Sequence, residues 1–161
     1  MVFRVLDATA FYAGMPFTSN DSFMTTSAVY DEIQHIKIKQ GAIEMLQQTN
    51  RLQIRDPDEK FINIVKDTAD KTGDNTTISK QDISIVALAL ENKIELITDD
   101  FAVTNVAKQL KIQTLSLMTQ GISTVGKWII YCSMCGKEFS KEKECPICGS
   151  KLNRKLIKKS I

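Results

Sequence analysis

Apolar positions along residues 1–117 alternate between two rhythms. Short runs read as strands: residues 2–7 (VFRVLD), 23–28 (FMTTSA), 52–55 (LQIR), 94–98 (IELIT) and 112–117 (IQTLSL). Between them lie helix-like stretches. TAFYAG follows Asp7, and VYDEIQHIKIKQGAIEMLQQT is mostly helical, its Ile33/Ile36 and Ile43/Leu46 spacings suiting one amphipathic helix or a helix pair. Pro57 suits the first turn of PDEKFINIVKDTADKT. Gly73 breaks that pattern, and DNTTISK reads as a turn. Ser79 followed by Asp82 is a capping-box-like start to QDISIVALALENK, a segment apolar almost all round and therefore predicted to be buried. DFAVTNVAKQLK reads as the last helix. The alternation predicts an α/β fold, a parallel sheet covered by helices on both faces.

Past residue 117 the rhythm changes. Residues 118–127 (MTQGISTVGK) read as a linker. Residues 128–153 hold all four cysteines, Cys132, Cys135, Cys145 and Cys148, as C-x₂-C-x₉-C-x₂-C with Gly136 and Gly149 behind the two pairs. Each C-x₂-C turn delivers two thiolates to one side of a tetrahedral zinc ion. So small a piece has too little core to fold alone, so one structural zinc is expected, in preference to a redox dithiol. Residues 154–161 remain as a basic C-terminal tail.

Length and composition narrow the classes. A chain of 161 residues has room for one ordinary domain and a small appendage, and 43% hydrophobic with 25% charged residues is globular. No apolar run approaches the roughly 20 residues of a membrane span. Arg4 and Asp7 interrupt the N-terminal apolar stretch, so it is not read as a signal peptide and a cytoplasmic location is expected. Neither a G-x-G-x-x-G nor a G-x-x-x-x-G-K-[ST] loop occurs, so no nucleotide cofactor is expected. The net charge of +2 divides into +5 for residues 128–161 and −3 for residues 1–127. An acidic body beside a basic extension suggests a cation site next to a nucleic-acid-binding segment.

The carboxylates sharpen this. In a parallel α/β sheet ligands sit at the carboxyl ends of the strands. Asp7 ends the first predicted strand, Asp99 and Asp100 end the fourth, and Glu32 and Asp82 lie near the starts of helices sharing that edge. Each acid alone has a plain structural role, as a helix cap or a solvated surface charge. Together, four segments bringing acids to one edge point to bound cations, since like charges otherwise oppose one another's ionisation. All-oxygen ligation selects Mg²⁺ or Mn²⁺, one or two ions, and the matching chemistry is hydrolysis of a phosphate ester. His35, the only histidine, is read as structural or exposed.

The segments VLDATAF, VYDEI, SKQDISIVALAL and LITDDFAVTNVA resemble the four acidic motifs of the PIN-domain nucleases. The resemblance implies metal-dependent cleavage of single-stranded RNA, with Asp7, Glu32, Asp82 and Asp100 as catalytic metal ligands. Asp100 is taken over Asp99 because the motif reads Thr-x-Asp, here from Thr98; Thr98 and Asp99 become auxiliary. A PIN domain joined to a zinc ribbon is similar to the Nin-one-binding endonucleases, in their compact archaeal form. That implies an endoribonuclease trimming precursor rRNA at the 3′ end of small-subunit rRNA, with the small-subunit precursor and other assembly factors as partners, and 5′-phosphate products. Five basic residues, Lys151, Arg154, Lys155, Lys158 and Lys159, are then expected to bind RNA phosphates. Trp128, Tyr131 and Phe139 can stack on bases, but the ribbon's own need for a core favours a packing role. Alternatives are a toxin-type PIN ribonuclease, a non-catalytic RNA-binding assembly factor and a ribbon-based DNA-binding protein.

Overall fold

The structure, a computed structural model, describes residues 2–36, 40–117 and 124–160. Five parallel strands form the main sheet: β1 (Phe3–Leu6), β2 (Ser22–Thr25), β3 (Leu52–Ile54), β4 (Leu96–Ile97) and β5 (Thr114–Leu115), in the order β3-β2-β1-β4-β5. The order reverses between β1 and β4. Right-handed crossovers then place helices α1 (Ala8–Tyr12), α2 (Met15–Thr18), α3 (Ser27–Ile33) and α4 (Gln40–Gln48) on one face. Helices α5 (Glu59–Thr72), α6 (Lys80–Asn92) and α7 (Phe101–Gln109) take the other. Strands buried on both faces read as apolar runs, and Val5, Leu6, Phe23, Leu96 and Ile97 are all inaccessible to solvent.

Local signals decide the helices. Ser79 and Asp82 form the complete capping box expected of α6, and residues Ile85–Ala89 are buried. Gly73 ends α5 in the left-handed conformation (φ 79°) that glycine adopts at low cost. Some boundaries differ from the sequence reading. Helix α5 starts at Glu59 behind Asp58, whose extended backbone donates its N–H to Glu91 Oε1 at 3.3 Å, so Pro57 lies outside the first turn. The long helical stretch before β3 resolves into the pair α3 and α4. A 3₁₀ turn, Asp74–Thr76, occupies the DNTTISK segment, and α2 was not anticipated at all.

The largest difference lies past residue 123. Strand β6 (Thr124–Tyr131) pairs antiparallel with β8 (Asn153–Ser160) along eight residues, and β7 (Glu138–Phe139) pairs with the other side of β6. The last four residues of the predicted linker are thus strand, as is nearly all of the predicted tail; residues 118–123 and Ile161 lie outside the described residues. The apolar segment WIIY in β6 needs a hydrogen-bonded neighbour, and the basic segment supplies one through its backbone despite its charged side chains.

The ribbon is joined to the α/β body at the turn between α5 and α6. Asp74 is fully buried and accepts hydrogen bonds from Thr72 Oγ1 (2.6 Å), Asn105 Nδ2 (2.6 Å) and Trp128 Nε1 (2.7 Å). Arg154 of β8 donates to the Gly73 carbonyl at 2.7 Å and to Thr76 Oγ1 at 2.6 Å, with its guanidinium 4.9 Å from the Trp128 ring centre. A side chain at Gly73 has no room, because an added Cβ would lie 2.7 Å from that of Trp128.

Candidate functional site

The reversal in strand order puts the ends of β1 and β4 side by side, the edge at which sheets of this kind bind their ligands. Asp7 follows β1, caps α1 by accepting from the Ala8 N–H at 2.6 Å, and is buried. Its other oxygen accepts from Thr98 Oγ1 at 2.7 Å and from Thr9 Oγ1 at 3.3 Å. Burial pushes its carboxyl up to about 6, against the lowering effect of the Thr98 hydroxyl, and the negative charges of Asp82 and Asp100 push it further. A buried acid facing two more acids is the electrostatic mark of a site whose charge awaits a cation.

Asp82 enters from the first turn of α6, where its Oδ2 accepts from the Ser79 N–H and hydroxyl at 2.8 and 2.7 Å. Asp100 caps α7 through the Val103 N–H at 3.0 Å. Its own N–H donates to Thr98 Oγ1 at 3.1 Å, so one hydroxyl links Asp7 to Asp100. The adjacent Asp99 turns elsewhere: its Oδ1 accepts from Ser116 Oγ at 2.6 Å and the Leu117 N–H at 2.8 Å, bracing the segment after β5. Glu32, on α3, lies 3.5 Å from the Tyr12 hydroxyl. That contact sets the Tyr12 ring beside Glu32, and desolvation with the charges of Glu32 and Asp7 raises its phenol above the ordinary value. Sequence reasoning missed Tyr12; no motif marks an exposed tyrosine. His35 is exposed in the turn after α3.

Asp7 and Asp82 do serve as helix caps, and α7 is capped by Asp100 rather than by its neighbour Asp99; capping fixes each of the three carboxylates in place. Among the described residues the acids do not close into a tight cage; only the four cysteines bring three or more ligand atoms within 4.8 Å of one another. An open, all-oxygen edge suits Mg²⁺ or Mn²⁺, which keep several waters and share their remaining positions with phosphate oxygens.

The cysteine module is closed by contrast. Cys132 Sγ lies 3.4 Å from Cys148 Sγ, and Cys135 Sγ lies 3.4 Å from Cys145 Sγ, too far for disulfides of about 2.05 Å. The two knuckles are alike: Gly136 N–H donates to the Cys132 carbonyl and Gly149 N–H to that of Cys145, each at 2.8 Å, with both glycines left-handed. The hydroxyl and amide of Ser150 pull the Cys148 thiol down to about 6, while hydrogen bonds with Cys132 and Cys145 push Cys135 up to about 12. Four sulfurs at tetrahedral spacing fit zinc, and metal binding releases the protons they share.

Of the five basic residues singled out near the C-terminus, Lys151 is exposed and Lys155 stands 4.7 Å over the Tyr131 ring. Arg154, though exposed, is hydrogen-bonded to the α5–α6 turn, and Lys158 and Lys159 take register positions opposite Gly126 and Val125.

Comparison with known proteins agrees with this geometry. A family model described as the PIN domain of ribonuclease matches residues 4–91. The chain is 35% identical to the endoribonuclease Nob1 of Methanocaldococcus jannaschii, over 100% of this chain and 81% of that protein. It is 31% identical to a protein called ribonuclease VapC1 from Thermoplasma acidophilum, over 96% of this chain and 79% of that one. A chain in the solved structure of VapBC-1 from nontypeable Haemophilus influenzae superposes with a TM-score of 0.52 at 18% identity, covering 73% of this chain and 100% of that chain, a likeness of fold. The strand order, the acids at its switch point and these relatives agree, and the chain belongs to the PIN-domain ribonucleases of the Nob1 endoribonuclease family.

Proposed function

We propose that this chain is an endoribonuclease that cuts precursor rRNA at the 3′ end of small-subunit rRNA, in the cytoplasm, with the small-subunit precursor and other assembly factors as its partners. The observation that carries the reading is that three acids from three segments meet at the sheet's switch point. Buried Asp7 is joined to Asp100 through the Thr98 hydroxyl, and Asp82 lies near enough for its charge to act on Asp7. Asp7, Asp82, Asp100 and Glu32 would hold one or two Mn²⁺ or Mg²⁺ ions. When bound, such an ion activates water and offsets charge on the phosphate. Thr98 holds Asp7 and Asp100 in register, Asp99 steadies the neighbouring loop, and Ser79 fixes the Asp82 rotamer. Hydrolysis by this route leaves a 5′-phosphate and a 3′-hydroxyl. Residues 1–117 do the cutting, and the zinc-held ribbon, residues 124–160, positions the RNA.

The test is cleavage of a short RNA spanning the 3′ end of small-subunit rRNA, with Mn²⁺ or Mg²⁺, comparing the native chain with Asp82→Asn. One defined cut that the substitution abolishes supports the reading. EDTA is a poor control because it also competes for the ribbon's zinc. Equal RNA binding with no cut by either protein, on the short RNA and on precursor particles, would favour a non-catalytic assembly factor. The VapC1-named relative keeps a second substrate in view, and cleavage of unrelated RNAs at equal rates would favour it.

A further inference from the structure

Between the α5–α6 turn and the ribbon runs a cleft of about 670 Å³ that none of the acidic residues of the active edge lines. Trp128 stands in its wall, with its indole N–H fixed by Asp74. The half-buried Phe139 of β7 also borders it. Lys71, at the end of α5, and Lys141, just past β7, reach it from the body and from the ribbon respectively; both are exposed. Arg154 adds a third cation, against the acids Asp70 and Glu138. Among the described residues the ion pairs are those of Arg4 with Asp21 and Glu95, so neither lysine is neutralised by one.

Two cations from separate bodies, flanking an aromatic wall, match a strand that alternates phosphates with bare bases. A duplex hides its base faces and gains nothing from the aromatic wall. We propose that this cleft is a binding site for unpaired RNA, with a base against Phe139 and phosphates on Lys71 and Lys141. The turn that walls it leads in three residues from Thr76 to Ser79, the cap of the helix that carries Asp82, so a strand held here is delivered beside the active edge. The inference rests on the nuclease reading above for its choice of ligand.

Trp128 is the chain's single tryptophan, and its fluorescence reports on the cleft directly. The experiment titrates the full zinc-loaded chain, carrying Asp82→Asn so that RNA stays intact, with a single-stranded RNA of about eight nucleotides, within the usual site size. Saturable quenching is expected with the single strand and not with the matching duplex. Lys71→Glu with Lys141→Glu should weaken binding about tenfold or more, and should reduce the slope of log affinity against log salt by about 1.4, the value for two lost phosphate contacts on a single strand. Lys93→Glu with Lys111→Glu, at the opposite ends of β4 and β5, should change neither. Zinc content and melting temperature verify folding; if the glutamate pair misfolds, Lys71→Gln with Lys141→Gln should still lower the slope. An unchanged slope in the folded pair, or equal quenching by duplex, overturns the proposal. Because this readout needs no cleavage, that result leaves the nuclease reading standing, and a cut that survives Asp82→Asn sinks the nuclease reading alone.

Discussion

At the scale of residues, one hydroxyl and one buried acid tie the proposed site together. Thr98 donates to Asp7 and accepts from the Asp100 amide, so Thr98→Val removes both bonds while keeping the shape. The expected result is a 10–100-fold fall in single-turnover cleavage, the usual cost of losing an outer-shell partner, with recovery in Thr98→Ser. Asp7 carries a stability signature as well. Burial pushes its carboxyl up to about 6 in the folded chain, from an ordinary value of 3.8. Between those values the folded state keeps a proton that the unfolded state has released, so stability is lost as pH rises through this window. At neutral pH the cost reaches up to about 3 kcal/mol. Asp7→Asn should therefore abolish cleavage yet raise the melting temperature at pH 7 without added divalent ions. Part of the gain is offset by the lost carboxylate–Thr98 hydrogen bond, and it should vanish near pH 4. A variant that melts lower than the native chain at pH 7 would contradict this account.

At the scale of elements, what could be read from the sequence was what neighbours in sequence decide. Ser79 and Asp82 are three residues apart, the knuckle cysteines likewise, and Gly73 breaks its helix locally; all three features stand in the structure. What could not be read depends on distant partners. Asp74 looks like any turn acid, and only Asn105 and Trp128, 31 and 54 positions away, make it a buried anchor. The basic segment looks like a tail because its strand character comes from pairing with β6, not from its own alternation. Asp99 looks like a second acid of the site, and only Ser116, 17 positions away, draws its carboxylate toward the segment after β5. The seam at Gly73 gives a prediction at this scale. Gly73→Ala adds a methyl group against Trp128 at a left-handed position, and should cost about 1–3 kcal/mol. Tryptophan emission should shift to the red at a temperature below the melting of the α/β body, with zinc still bound.

At the scale of the whole molecule, two bodies are held together by different physics. Among the described residues, the buried apolar cluster runs from Val5 to Ile112 and includes nothing from the ribbon. The body is stabilised by its own core, whereas the ribbon is held to it by the Asp74–Trp128–Arg154 seam and brings together four thiols that fit a metal. Stripping zinc with a chelator should therefore change tryptophan emission and release one zinc per chain, while far-ultraviolet circular dichroism keeps the helical signal of the body. A cooperative loss of all helix on chelation would show instead that the two bodies fold as one unit. The division of charge noted in the sequence, acidic body and basic extension, follows the same boundary.

The ladder between β6 and β8 places Thr124 directly opposite Ser160. The chain thus enters and leaves the cysteine module at one point, and everything between those residues is a loop closed on itself by eight backbone pairs. Both ends of residues 124–160 therefore share one opening, and Asp74 and Gly73 form the socket in the body against which that closed unit is seated.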